Sequence, residues 1–544
     1  MALKKLLLLL VPVSFGPVTA GQEIPPVTTG AASGYVDDSV CGQCHVSHYE
    51  TFQSVGMAQS FKEPENAIAK EQFGEIFHHE PSDRYYQITQ EDDGLVFRRF
   101  QRDLRGNRVN EIEIPVDWIL GSGNRTRSYL YQTAMGEMFQ LPVGWYTEGQ
   151  HWAMAPGFEA ATHDGIGRKA ERRCMFCHNA FPDGVEQDDY GDLALFPHDL
   201  PEGIGCQRCH GPGGEHVTAS LTGADLGTIR KHIVNPAQLD GDIRESVCMQ
   251  CHLLPAISIV GPRRFGRGDY SFRPGELLTD YMVHLDIREK GVEEPERFEI
   301  NHHGYRFLKS ACYRKSDNFT CTSCHNPHVK PESRAFRNKV AGVCRDCHNE
   351  VQHAEPVGEN KCVKCHMPRR RTLDVVHVTM TDHWIARGPF DLEGLVEPVE
   401  PGIRRVTKVT PMKFGDPPAG PDAQAYRSLG AMRAGRSVAE AARALERVLR
   451  QKDYDHYEPH LDLAKAALSQ GNYAEAEARA SELVSAHPNL YVAHTLLGIA
   501  RMAQGKNRQA IIAFRESLDL QPDPRDPLQS GRRRPPAREP DRAR

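Results

Sequence analysis

Seven times along the chain two cysteines stand three positions apart, with a histidine directly after the second. The sets are Cys41, Cys44 and His45; Cys174, Cys177 and His178; Cys206, Cys209 and His210; Cys248, Cys251 and His252; Cys321, Cys324 and His325; Cys344, Cys347 and His348; and Cys362, Cys365 and His366. Placing 15 Cys and 26 His at random among 544 residues yields about 0.02 such motifs. Two thiols at this spacing reach the two vinyl groups of one porphyrin and form thioethers, while the adjacent imidazole ligates the iron. The expected cofactor is haem c, seven per chain. Zinc ribbons also pair cysteines, but they need no histidine after every second one. Cys312 is left over, and its expected state is a free buried thiol, with a redox or ligand role as the alternative.

The other face of each iron needs a second ligand, and histidine is in surplus. Outside the C-terminal repeats there are 22 histidines, of which the motifs use seven. His216, six residues after His210, and His328, in Cys-His-Asn-Pro-His, follow turns that fold the chain back onto neighbouring haems. His377 and His383, after the last motif, form a second pair of candidates. His48, His78, His79, His163, His198, His232, His302, His303 and His353 complete the pool near the motifs. Met57 is a candidate thioether ligand to the first haem, against the alternative of a methionine packed in the core.

These residues must be positioned with little protein. Residues 21 to about 415 supply roughly 56 residues per haem, so the macrocycles themselves are expected to form the core and to lie near one another. Aromatic and alternating runs at Tyr85 to Thr89, Leu95 to Phe100 and Glu111 to Val116, with turn signals between them, predict a small β-rich insertion from about 74 to 155. The haem-bearing segments are expected as short helices and loops, each motif lying where a helix starts or ends. A Pro/Gly-rich stretch leads to an expected linker at 416–422. Beyond it, Leu429-Gly430, Leu463-Ala464 and Leu497-Gly498 recur every 34 residues, as do Ala442, Ala476 and Ala510. That period matches tetratricopeptide repeats, expected over 423–524. The tail 525–544 is Arg/Pro-rich and expected to be disordered. The expected fold class is mainly α and irregular, a multihaem core with a small β-rich insertion followed by an α-helical repeat solenoid.

Lys4 and Lys5 precede an apolar run from Leu6 to Val13, and Val18-Thr19-Ala20 offers a cleavage site, so residues 1–20 read as a signal peptide. This predicts export to the periplasm or another extracytoplasmic space, with no membrane span after cleavage. A net charge of −6 carries no basic footprint for nucleic acid.

The chain resembles exported multihaem c-type cytochromes that end in tetratricopeptide repeats. Its haem region is also similar to the group containing hydroxylamine oxidoreductase and the pentahaem and octahaem nitrogen and sulfur oxyanion reductases. The matching residues are Gly205-Cys206-Gln-Arg-Cys209-His210-Gly211-Pro212-Gly213, Cys321-Thr-Ser-Cys324-His325-Asn326-Pro327-His328 and Cys362-Val-Lys-Cys365-His366-Met367-Pro368. The resemblance implies that His216 and His328 are distal ligands to neighbouring haems, and that haems stack in parallel and perpendicular pairs. One departure is the absence of any Cys-x-x-Cys-Lys, the mark of the catalytic haem in pentahaem nitrite reductases. The leading expectation is electron transfer through low-spin haems, with redox protein partners docked by the repeats. The alternative is an oxidoreductase acting on nitrogen or sulfur compounds at one open haem. A third reading makes the chain a scaffold that wires a larger complex.

Overall fold

Between the first and second motifs the chain is antiparallel sheet. Tyr and Phe alternate with polar residues there, and a pleated strand turns alternate side chains to one face. Strands Ile76–His79, Arg84–Glu91, Gly94–Arg102 and Arg108–Pro115 form a four-stranded meander in which the Glu91↔Gly94 pair closes a tight turn. A register shift between Arg99 and Gln101 changes the alternation, so Phe97 and Phe100 are both fully buried. The second sheet holds Trp118–Leu120, Thr126–Gln132, Met138–Tyr146 and His151–Met154, edged by Phe61–Lys62 and Arg168–Lys169. Its core joins Tyr129, Trp145 and Trp152 to Tyr86 and Phe97 of the first. The sheets thus extend beyond the expected insertion on both sides. The chain is mixed helix and sheet, with more strand than the mainly α and irregular architecture expected, because the aromatic alternation extends past the three runs that first signalled it.

The computed structural model describes residues 24–181, 194–256, 261–331, 334–349, 362–388, 390–399, 405–412, 414–451, 454 and 456–521. Residues 1–20, expected above to be a signal peptide, the Arg/Pro-rich tail and His353 lie outside the described residues.

A buried ion pair ties the second sheet to the chain before the strands of the first. Arg127 Nη1 donates to Glu71 Oε1 at 2.8 Å with both side chains 1% exposed, and Tyr129 Oη donates to the same oxygen at 2.8 Å. Removing one partner strands the other charge without water. Glu71→Ala is therefore expected to destabilise the protein by about 3–5 kcal/mol, read as a lowered thermal midpoint.

Six helices follow the haem-bearing region: Gly420–Arg433, Val438–Gln451, Glu458–Ser469, Tyr473–Ala486, Tyr491–Ala503 and Asn507–Leu520. They pair as three antiparallel hairpins, with small residues where helices cross. A Cβ on Gly498 would meet the Phe514 ring at 2.5 Å. The first helix begins at Gly420, inside the expected linker, and it does not stand apart from the haem region. Tyr426, Leu429, Leu445 and Val448 share one core with Val283, Leu285, Ile287 and Val409, the last four on the paired strands Leu285–Glu289 and Val406–Pro411 or beside them. Gly430 permits the approach, since a Cβ there would lie 2.5 Å from Leu285 Cδ1. The Phe265 N–H donates to Tyr426 Oη at 2.9 Å and the Gly266 N–H to Glu458 Oε1 at 3.0 Å. Among the described residues no helix is long and apolar enough to cross a membrane.

Candidate haem sites

Every motif lies on a helix, at its C-terminal end in four cases and along all of a single turn in the other three. The helices are Asp38–Cys44, Arg172–His178, Gln207–His210, Gly241–His252, Cys321–Cys324, Arg334–Cys347 and Cys362–His366. Most are a turn or two long, too short to be stable alone, and residues inside or beside the motifs knit them together. Asp38 accepts from the Cys206 N–H and from Gln207 Nε2, both at 3.0 Å, which staples the first motif to the third. A Cβ on Gly205 would collide with the Asp38 carboxylate, and this accounts for the glycine before Cys206. Gln250 Nε2 donates to Arg208 O at 3.0 Å, joining third to fourth, and Cys321 Sγ donates to Glu245 at 2.9 Å, joining fourth to fifth.

The thiols repeat this adjacency. Cys41 contacts Cys206, Cys177 contacts Cys251, Cys248 contacts Cys321, and Cys344 contacts Cys362, each pair drawn from two different motifs. The fourth motif therefore touches the second, third and fifth. Burial, with the neighbouring Cys248 and Cys251, pushes the Cys209 thiol up to about 12. A structural zinc site needs four converging ligands, thiolates alone or thiolates with imidazoles. Among the described residues the one cluster of metal-ligand spacing is Asp38, Cys41 and Cys206, which draws on two motifs rather than one.

Four motif histidines face a second imidazole. His45 and His216 have ring centres 6.4 Å apart with planes at 19°, and His210 and His328 are 6.0 Å apart at 16°. His325 and His383 are 6.3 Å apart at 27°, while His252 and His303 are 5.7 Å apart at 87°. An iron between two nitrogens at about 2 Å each, plus half a ring on either side, spans roughly 6 Å. Backbone carbonyls select the tautomer. Nδ1 donates to Val234 O in His210 (2.8 Å), to Ile229 O in His216 (2.9 Å), to Ala386 O in His366 (2.9 Å) and to Thr381 O in His383 (3.1 Å), leaving Nε2 as the lone-pair nitrogen. Burial holds His383 down at about 4 and lowers His45, His252 and His325 as well, which favours the neutral imidazole in each.

The rest of the pool divides by what each ring already does. His302 accepts from the Glu299 N–H at 3.1 Å and donates to Pro255 O at 3.1 Å, so both its nitrogens are spent. His79 is occupied by Ser82 and Glu159, and His163 by Gly165 and Tyr86. His232 meets Glu215, His78 meets Asp83, and His198 lies near Asp117. His377 packs against His151 at 5.3 Å and Tyr146 at 4.7 Å. His48 lies edge-on to His328 at 4.9 Å, and Met57 packs on Phe52, Val55 and Ala58. Cys312 is half-buried. His303 was one member of the pool with nothing to distinguish it. Its usable signal was its place as the first residue of the helix His303–Phe307.

A buried cationic cradle escaped sequence reasoning altogether. Arg208, 3% exposed, lies over the rings of Phe176 (4.4 Å) and Phe181 (4.0 Å), with Nη2 donating to Phe176 O at 2.6 Å. Its Nε and Nη1, and the hydroxyls of Tyr35 and Tyr270, are buried without a protein partner. A guanidinium in an apolar site needs an anion. The carboxylates of a porphyrin held by the neighbouring Cys174 and Cys177, or by Cys206 and Cys209, are of the right charge, so the residues fit the group.

Comparison with known proteins agrees. The doubled CXXCH motif family matches residues 314–353, and the tetratricopeptide repeat family matches residues 433–497. The dissimilatory sulfite reductase MccA of Wolinella succinogenes is 24% identical over 221 residues, covering 36% of this chain and 27% of that protein. The chain thus aligns with about a quarter of the length of this relative. No solved structure matches. The CXXCH motifs, the repeat helices and this similarity together support a multihaem c-type cytochrome with C-terminal tetratricopeptide repeats.

Proposed function

We propose that the protein carries electrons through seven covalently bound haems in an exported compartment, and that its repeats hold a redox partner. The observation that carries this reading is the set of four facing imidazole pairs, at 5.7 to 6.4 Å, on motifs that touch one another. Two imidazoles saturate an iron and leave electron exchange as its chemistry. In this reading the proximal ligands are His45, His178, His210, His252, His325, His348 and His366, and the distal ones include His216, His328, His303 and His383. Ile511, Ile512 and Leu518 stand exposed on the last repeat helix and offer apolar area for a partner. Carbon monoxide titration of the reduced protein tests the carrier reading. No binding is expected, whereas one equivalent or more would overturn a purely electron-carrying role.

A second reading is favoured by one site. Among the described residues no histidine ring stands opposite His178, whose Nδ1 is buried without a partner. Arg208, Tyr35 and Tyr270 lie near the same motif. An open second iron beside a buried cation suits reduction of a small oxyanion, and the similarity to a sulfite reductase points the same way. Turnover of sulfite, nitrite or hydroxylamine with a viologen donor decides it.

A further inference from the structure

Two of the histidines proposed above as distal ligands, His303 and His383, are tied to each other by a salt bridge between their neighbours Arg306 and Asp382. Arg306 follows His303 by three residues, on the same face of the helix His303–Phe307. Asp382 immediately precedes His383. Arg306 Nε donates to Asp382 Oδ1 at 2.9 Å and Nη2 to Oδ2 at 2.5 Å, with the two residues 2% and 3% exposed. Arg370 Nη1 adds a third bond to the same carboxylate at 3.1 Å, and the Trp384 N–H a fourth at 2.9 Å. The Trp384 ring lies 4.6 Å from the Arg306 guanidinium. The imidazoles so tethered, His303 and His383, are themselves only 5.0 Å apart, and each faces a different motif histidine.

A planar guanidinium on a planar carboxylate has one good geometry, and both partners are fixed in it. Rotation of the helix that carries His303 and displacement of the segment that carries His383 therefore require each other. We propose that Arg306 and Asp382 are positioning residues that set both distal imidazoles at once and make the ligation of the fourth and fifth haems interdependent. This rests on the ligand pairs His252/His303 and His325/His383 of the function proposed above. The consequence is specific: one substitution, remote from both irons, opens two of them.

The test compares four variants of the full-length, haem-loaded protein by low-temperature paramagnetic resonance of the oxidised state and carbon monoxide stoichiometry of the reduced state. Covalent haem content is measured in each by mass. His303→Ala and His383→Ala are each expected to add one carbon monoxide equivalent. Asp382→Asn is expected to add two, with loss of two low-spin signals, an unchanged haem count and the remaining low-spin signals intact. Arg306→Lys keeps the charge and loses the fork, and it is expected to do the same. The clamp is overturned if Asp382→Asn or Arg306→Lys only lowers the melting temperature, or opens one iron alone. If the two histidine variants change nothing, the ligand pairing fails instead of the clamp.

Discussion

Serine at both Cys248 and Cys251 is expected to remove more than one haem per chain and to destabilise the protein by more than about 4 kcal/mol. The fourth motif is the point where the others meet. Cys251 contacts Cys177 of the second motif, Cys248 contacts Cys321 of the fifth, and Gln250 bonds to Arg208 within the third. The macrocycle at this motif is expected to be core for its neighbours, so its loss leaves them facing a cavity or water. In the electron-carrier reading proposed above, transfer between the motifs on either side is expected to be interrupted as well. Haem-to-protein ratio and thermal midpoint measure the effect. A protein with six haems and an unaltered midpoint would show that the fourth site is peripheral.

His216→Ala is expected to open the first iron without unfolding the protein. The ring faces His45 at 6.4 Å and is steered by Ile229 O, while the helix that bears it, Gly214–Leu221, keeps its other contacts. Loss of one imidazole turns a low-spin iron into one that binds carbon monoxide. Axial ligation spans about 0.8 V across haem proteins, and a shift of about 0.1 V, roughly 50-fold in a one-electron equilibrium, is expected here. Potentiometry followed at one haem reads the shift. An unchanged potential together with no carbon monoxide binding would remove His216 from the iron.

Local spacing and tertiary placement contributed differently at the candidate sites. Cys-x-x-Cys-His is legible because attachment chemistry acts within five consecutive residues, and the repeats are legible because a 34-residue period repeats one helical hairpin. The distal ligands are harder, since they approach from far along the chain. His302 and His303 are adjacent and identical in type, yet one residue's step turns a side chain by about 100° around a helix. His302 thereby meets Pro255 O, and His303 meets His252. The Arg208 cradle was invisible because its parts, Tyr35, Arg208 and Tyr270, are separated by long stretches of sequence and have no spacing rule.

By itself the sequence signalled c-type haem chemistry, the aromatic strands before the second motif and the repeat period, all of which are short-range or periodic properties of the chain. Only the tertiary structure decided which motifs touch, which histidines face them, and that the repeats share a core with the strands Leu285–Glu289 and Val406–Pro411 across what composition marked as a linker. The physical reason is the same in each case. Contacts such as Leu285 with Gly430, or Arg306 with Asp382, are chosen by shape and burial among many chemically equivalent partners, and that choice is made when the chain packs.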